Sequence, residues 1–230
     1  MKKICSCFVL FFTINQCFSQ KSSTAQSSHK NHWGKNITEA VKQEFGITFP
    51  IFKVYDFEDK NGPALIVLTE SNDSVTAKGE PINSEVATFM LRGSNTNFVK
   101  EWESKYSIQN NNKKENSIWY WTKYFECCDV DNDGLSETFL IFGTAGENGI
   151  SDGRIFIEIY YKNKKISIEH QNAIIDLHRS TIVDKTFYNL PTTLQDKVKY
   201  KIKQMITAKQ AIFPANWQQS MTLKKTEVKE

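Results

Sequence analysis

The run Asp129-Val130-Asp131-Asn132-Asp133-Gly134-Leu135-Ser136-Glu137 constrains this chain more than any other stretch. Carboxylates fall at positions 1, 3, 5 and 9 of the run, with glycine at position 6. The alternate spacing lets three short acidic side chains converge as the chain curls. Gly134 permits the sharp turn, and the Leu135 carbonyl adds a backbone oxygen. Hard cations such as Ca2+ take about 6–8 oxygen ligands in a cage of this kind. The candidate ligands are therefore Asp129, Asp131, Asp133, Leu135 through its carbonyl and Glu137, with water filling the rest. A plain turn is the competing reading, because Asn-Asp-Gly is turn chemistry by itself. A turn does not, however, need four spaced acids.

The stretch is not an EF-hand. That loop ends on a bidentate Glu and is flanked by helices. Leu140 stands at the corresponding place, and the flanks, WYWTKYFECC and TFLIFGT, read as strands. The run resembles the shorter D-x-D-x-D-G-x-x-D/E calcium loops that join strands, as in integrin-type propeller blades. That resemblance implies a stabilising ion and not a catalytic one. No internal repeat accompanies it, so a whole propeller is not expected.

The first residues read as an export signal. Lys2 and Lys3 precede an apolar run from Ile4 to Ile14, and Cys17-Phe18-Ser19 offers small residues at the cleavage positions. The run is shorter than the about 20 residues needed to span a bilayer. The expected division is a signal peptide at 1–19, a serine-rich flexible leader at 20–35, a single α+β domain at 36–215 and a frayed tail at 216–230. Ile14-Asn15-Gln16 makes a poor lipobox before Cys17, which leaves lipidation open. Removing Lys2 and Lys3 lowers the formal charge from +3 to +1. A nearly neutral mature chain has no broad electrostatic case for nucleic acid or an anionic membrane, and no further apolar run reads as a transmembrane segment. Of the five cysteines, only Cys127 and Cys128 lie outside the signal. Adjacent cysteines do not make a disulfide framework; they read as strand residues pointing to opposite faces.

Patterning along the mature chain is mainly that of strands. ITEAVKQEF reads as a short helix with Ile37, Val41 and Phe45 as its buried stripe, stopped by Gly46. IFKVYDF and ALIVLT flank Asp59-Lys60-Asn61-Gly62, which is strong hairpin chemistry. In NFVKEWESKYSI, Phe98, Trp102, Tyr106 and Ile108 fall on one face by strict alternation. IWYWTKYFECC is apolar on both faces and reads as one central strand. RIFIEIYY and KISIEHQ form a hairpin around Lys162-Asn163-Lys164. After Pro191 a helix follows, with Thr192 and Gln195 as a capping box and Leu194, Val198, Ile202, Met205 and Ile206 as its stripe. Its lysines, Lys201 among them, read as a solvated face. The sum is an α+β fold: a mostly antiparallel sheet of about eight strands with an N-terminal and a C-terminal helix.

The segment GTAGENG at 143–149 lacks the Gly-Lys-Ser/Thr ending of a nucleotide P-loop. The residue types available for acid–base chemistry near the 143–154 loop are Glu147, Asp152, Glu169 and His170, with His178 and Arg179 beyond. The sequence does not say that they converge. GTAGENG, SDGRI, EHQN and VDKTFYNLP together resemble a family of secreted bacterial proteins labelled surface polysaccharide biosynthesis proteins, over roughly the second half of the chain. The resemblance implies an exported protein of the periplasm, cell surface or medium, with surface glycan or envelope assembly proteins as partners. It carries no reaction with it. Two expectations follow: a calcium-stabilised, non-catalytic binding or accessory protein, or a glycan-acting hydrolase or lyase built on those acids and histidines.

Overall fold

The computed structural model describes residues 21–24, 37–108 and 115–229. The export signal, Cys17 and most of the leader lie outside these. Along the chain run β1 (Lys21–Thr24), α1 (Glu39–Phe45), β2 (Ile51–Asp59), β3 (Gly62–Glu70), the short pair β4 (Ser74–Val75) and β5 (Pro81–Ile82), β6 (Glu85–Ser94) and β7 (Asn97–Ser107). There follow β8 (Ser117–Tyr120), β9 (Glu126–Cys128), β10 (Glu137–Ala145), β11 (Arg154–Tyr161), β12 (Lys164–Gln171), β13 (Ser180–Val183), α2 (Thr192–Thr207), α3 (Trp217–Thr222) and β14 (Glu227–Lys229). Two antiparallel sheets result, one in the order β1-β2-β3-β6-β7 and the other β14-β13-β12-β11-β10-β8, with β9 also on β10.

The sheets stack face to face, and helices cover both outer faces. Tyr55, Ile66, Leu68 and Met90 of the first sheet meet Ile118, Leu140, Phe142 and Phe156 of the second. Trp102 stacks on Tyr160 with ring centroids 3.5 Å apart. On the far side of the first sheet, Val41 of α1 packs with Val54, Leu65, Val67 and Phe89. On the far side of the second, Leu194, Val198, Ile202 and Met205 of α2 and Trp217 and Met221 of α3 pack on Phe139, Ile141, Ile157 and Ile168. Strands buried on both faces read as continuous apolar runs, which is why ALIVLT and TFLIF carry no alternation.

The antiparallel, β-rich α+β class agrees with the sequence reading, but strand count and helix placement differ. α3 and β14 occupy the expected frayed tail, because Trp217, Met221 and Val228 are each less than a tenth exposed. IWYWTKYFECC is not one central strand. It breaks at Trp121–Phe125 into β8 and β9, which pair with opposite ends of β10. β7 carries a bulge: Met90 faces Trp102 while Leu91 faces Lys100, leaving Glu101 as the additional residue. Phe98 therefore joins the α1-side core and Trp102 and Tyr106 the inter-sheet core. The capping box of α2 is not formed; Gln195 Nε2 instead donates to the Leu190 carbonyl at 2.8 Å. Lys201 is buried on the helix face turned to the sheet.

The local signals appear in place. Thr38 caps α1 and Gly46 ends it in the left-handed region at φ 70°. Lys162 and Asn163, both at positive φ, form the two-residue β11–β12 turn that favours such angles. Cys127 and Cys128 are buried thiols.

Candidate metal centre

Residues 129–136 connect β9 to β10, and Cys128 faces Glu137 across the ladder. The acidic run is therefore a hairpin loop with both ends held. Asn132 at φ 61° and Gly134 at φ 83° supply the left-handed turns. A Cβ at Gly134 would also lie 3.1 Å from the Lys60 side chain. The backbone wraps around its own carboxylates. Asp129 accepts the N–H groups of Asp133 (3.1 Å) and Gly134 (2.9 Å). Asp131 accepts Asp133 N–H at 3.2 Å, and Asp133 accepts Leu135 N–H at 2.9 Å. Glu137, reaching back from the first position of β10, accepts Val130 N–H at 2.8 Å. One carboxylate oxygen from each of Asp129, Asp131, Asp133 and Glu137 lies within 4.8 Å of all the others. The four acids are gathered and not splayed, and such a cluster could hold a metal ion.

The electrostatics follow from the gathering. Glu137 is 1% exposed. Burial pushes its carboxyl up, the Val130 N–H opposes in part, and the charges of Asp131, Asp129 and Asp133 add to reach about 7. Asp133 is held below its ordinary value, first by the Leu135 N–H and then by the Lys162 ammonium 3.0 Å away.

Two hairpin tips close over the loop. From β11–β12, Tyr161 donates its hydroxyl to Asp131 Oδ2 at 3.0 Å. From β2–β3, in the other sheet, Lys60 donates its N–H to the Gly134 carbonyl at 3.0 Å and its ammonium to the Asp133 carbonyl at 2.6 Å. Asp59 accepts the Ser136 N–H at 3.2 Å and pairs with Arg92 at 2.9 Å. The loop thus sits where both sheets meet. The sequence reading placed it within one sheet and missed Asp59, Lys60 and Tyr161, whose only signal was turn chemistry far from the acidic run.

The acid–base candidates are not brought together. His170 is fully buried: Nε2 faces Asn172 Oδ1 (3.0 Å) and the Ile212 carbonyl (3.2 Å), Nδ1 lies 2.9 Å from the Thr181 hydroxyl, and the ring stacks on Phe213 at 3.9 Å. Burial pulls its pKa down to about 4, so it is a neutral core group. His178 is exposed on the 3-10 turn Asp176–His178, where Arg179 pairs with Asp176 at 2.6 Å. Glu169 is exposed and lies 3.4 Å from Arg154, which the buried Glu115 grips at 2.7 Å. Asp152 accepts both the backbone and side-chain N–H of Asn148, shaping the 143–154 loop. Glu147 lines a cleft beside Trp119. Among the described residues no helix is long and apolar enough to cross a membrane. No family model, no curated protein and no solved structure matches this chain.

Proposed function

We propose that the chain is a calcium-stabilised, exported cell-envelope protein with a non-catalytic binding or accessory role in surface polysaccharide biosynthesis. The observation that carries the calcium reading is the convergence of four carboxylate oxygens within 4.8 Å. Two oxygens that share one calcium at about 2.3–2.6 Å cannot be more than about 4.6–5.2 Å apart, so the four fit a common ion. The Leu135 carbonyl and waters would complete the shell. An all-oxygen set favours a hard cation over zinc, which draws on Cys and His.

A buried Glu137 with a raised pKa, inside a ring of three further acids, is stabilised by a divalent charge. Extracellular modules often hold calcium at about 10⁻⁴–10⁻³ M, which suits an exported protein. The sealed, hydrogen-bonded position of His170 supports the binding reading over the catalytic one. The glycan context rests on GTAGENG, SDGRI, EHQN and VDKTFYNLP. The test is thermal unfolding of the purified mature chain in chelator and in calcium up to about 10 mM, with magnesium as a control. Calcium should raise the midpoint, and Asp131→Ala should abolish the rise. An unchanged midpoint in wild type would refute the calcium reading.

A further inference from the structure

Away from the acidic loop, two adjoining clefts of about 670 and 610 Å3 open beside the start of β2 and the end of β3. Both fall in the range of about 300–1,000 Å3 typical of small-molecule sites. Phe52, Glu70 and Pro81 line both clefts, and Trp119, Tyr120 and Glu80 line the larger. The Phe52 and Tyr120 rings are nearly parallel, with centroids 6.3 Å apart. Glu70 is 3% exposed, yet among the described residues its carboxylate meets only neutral donors: the Tyr120 N–H at 3.3 Å and Asn83 Nδ2 at 3.2 Å. Among the described residues, no Lys, Arg or His lines either cleft.

We infer that this cleft binds an organic ammonium group, seated against the Phe52 ring with Glu70 as its counter-charge. An aromatic face carries negative potential and attracts a cation, best when both are shielded from water. A carboxylate buried against neutral donors carries an uncompensated desolvation cost, and burial accordingly raises the Glu70 pKa. A cationic guest removes that cost. An anionic guest is repelled by Glu70 and Glu80, and a neutral guest gains the stacking but leaves Glu70 without a counter-charge. The cleft exceeds the size of an ammonium head alone, so the charged group is one end of a larger molecule. This site shares no residue with the acidic loop, and it stands or falls separately from the calcium reading.

The test uses the full mature chain, titrated calorimetrically and by tryptophan fluorescence. The probes are choline, ethanolamine and 3,3-dimethylbutan-1-ol, the last being the uncharged isostere of choline. One of the two amines should bind in the millimolar range or tighter, and the isostere about tenfold or more weakly than choline if choline is the binder. Preference for ethanolamine over choline assigns a primary amine and sustains the inference. Glu70→Gln and Phe52→Leu should each weaken binding about tenfold. The inference is overturned if neither amine binds up to about 100 mM, if the isostere binds as tightly as choline, or if folded Glu70→Gln keeps full affinity. Should Glu70→Gln not fold, the charged-versus-neutral comparison on the wild type and the Phe52→Leu variant decide alone.

Discussion

Asp59 at the tip of one sheet's hairpin accepts the Ser136 backbone N–H of the acidic loop on the other sheet, across 77 residues of sequence. The same carboxylate holds Arg92. Whatever orders the loop is therefore felt by both sheets. Asp59→Ala should destabilise the protein by about 2–3 kcal/mol, through a lost buried ion pair and an unsatisfied N–H. It should also shrink the midpoint rise on adding calcium. Urea unfolding with and without calcium measures both effects. A calcium response equal to that of wild type would mean that the loop acts without the neighbouring sheet.

Lys162 competes with a cation for Asp133 Oδ2, which it reaches at 3.0 Å from a half-exposed position. Exposed pairs of this kind are weak and screened by solvent, so a cation displaces the ammonium at little cost. Lys162→Met should consequently tighten calcium binding by about two- to fivefold, as read by isothermal titration. Unchanged or weaker affinity would count against Asp133 as a ligand.

His170 sets an acid limit on stability. Its ordinary pKa of 6.5 is lowered to about 4 in the fold, chiefly by burial. Between those values the unfolded chain binds a proton that the native protein does not. The contribution is full above 6.5 and is lost as pH falls through the window toward 4, by up to about 3 kcal/mol. His170→Gln should flatten this part of the pH dependence. Urea midpoints taken in steps across the window, for both proteins, give the answer. Parallel slopes would place the acid sensitivity elsewhere.

Lys201 of α2 donates to the Tyr124 carbonyl at 2.9 Å and to Glu126 at 2.7 Å, and Lys197 reaches Glu126 at 2.5 Å. Burial pushes the Glu126 carboxyl up, but the two lysines outweigh it and pull it down to about 2. Glu126→Gln leaves a buried ammonium without its counter-charge and should cost about 3–5 kcal/mol. Lys201→Met, which leaves Glu126 paired with Lys197, should cost less. Chemical denaturation that ranks the two variants the other way would show that the ammonium finds water.

What was legible in the sequence was local. The acidic loop, the Lys162-Asn163 turn and the α1 caps each lie within about ten consecutive residues, and their chemistry fixes a backbone shape without reference to the remainder. What was not legible depends on distant partners. Lys201 reads as surface because nothing near it in sequence announces Glu126. The α3 and β14 segments are too short to show a period, and they are ordered by the core they complete. Asp59 and Lys60 read as a turn because the loop they grip lies more than 70 residues away.

The bulge at Glu101 gives β7 a property that composition does not express. Because side chains alternate across a strand, one residue more or less exchanges its two sides. Phe98 reaches the α1 side and Trp102 the opposing sheet only because the chain is one residue longer than its partner there. In this strand the count of residues carries the information, and the hydrophobic alternation alone puts Phe98 on the wrong side.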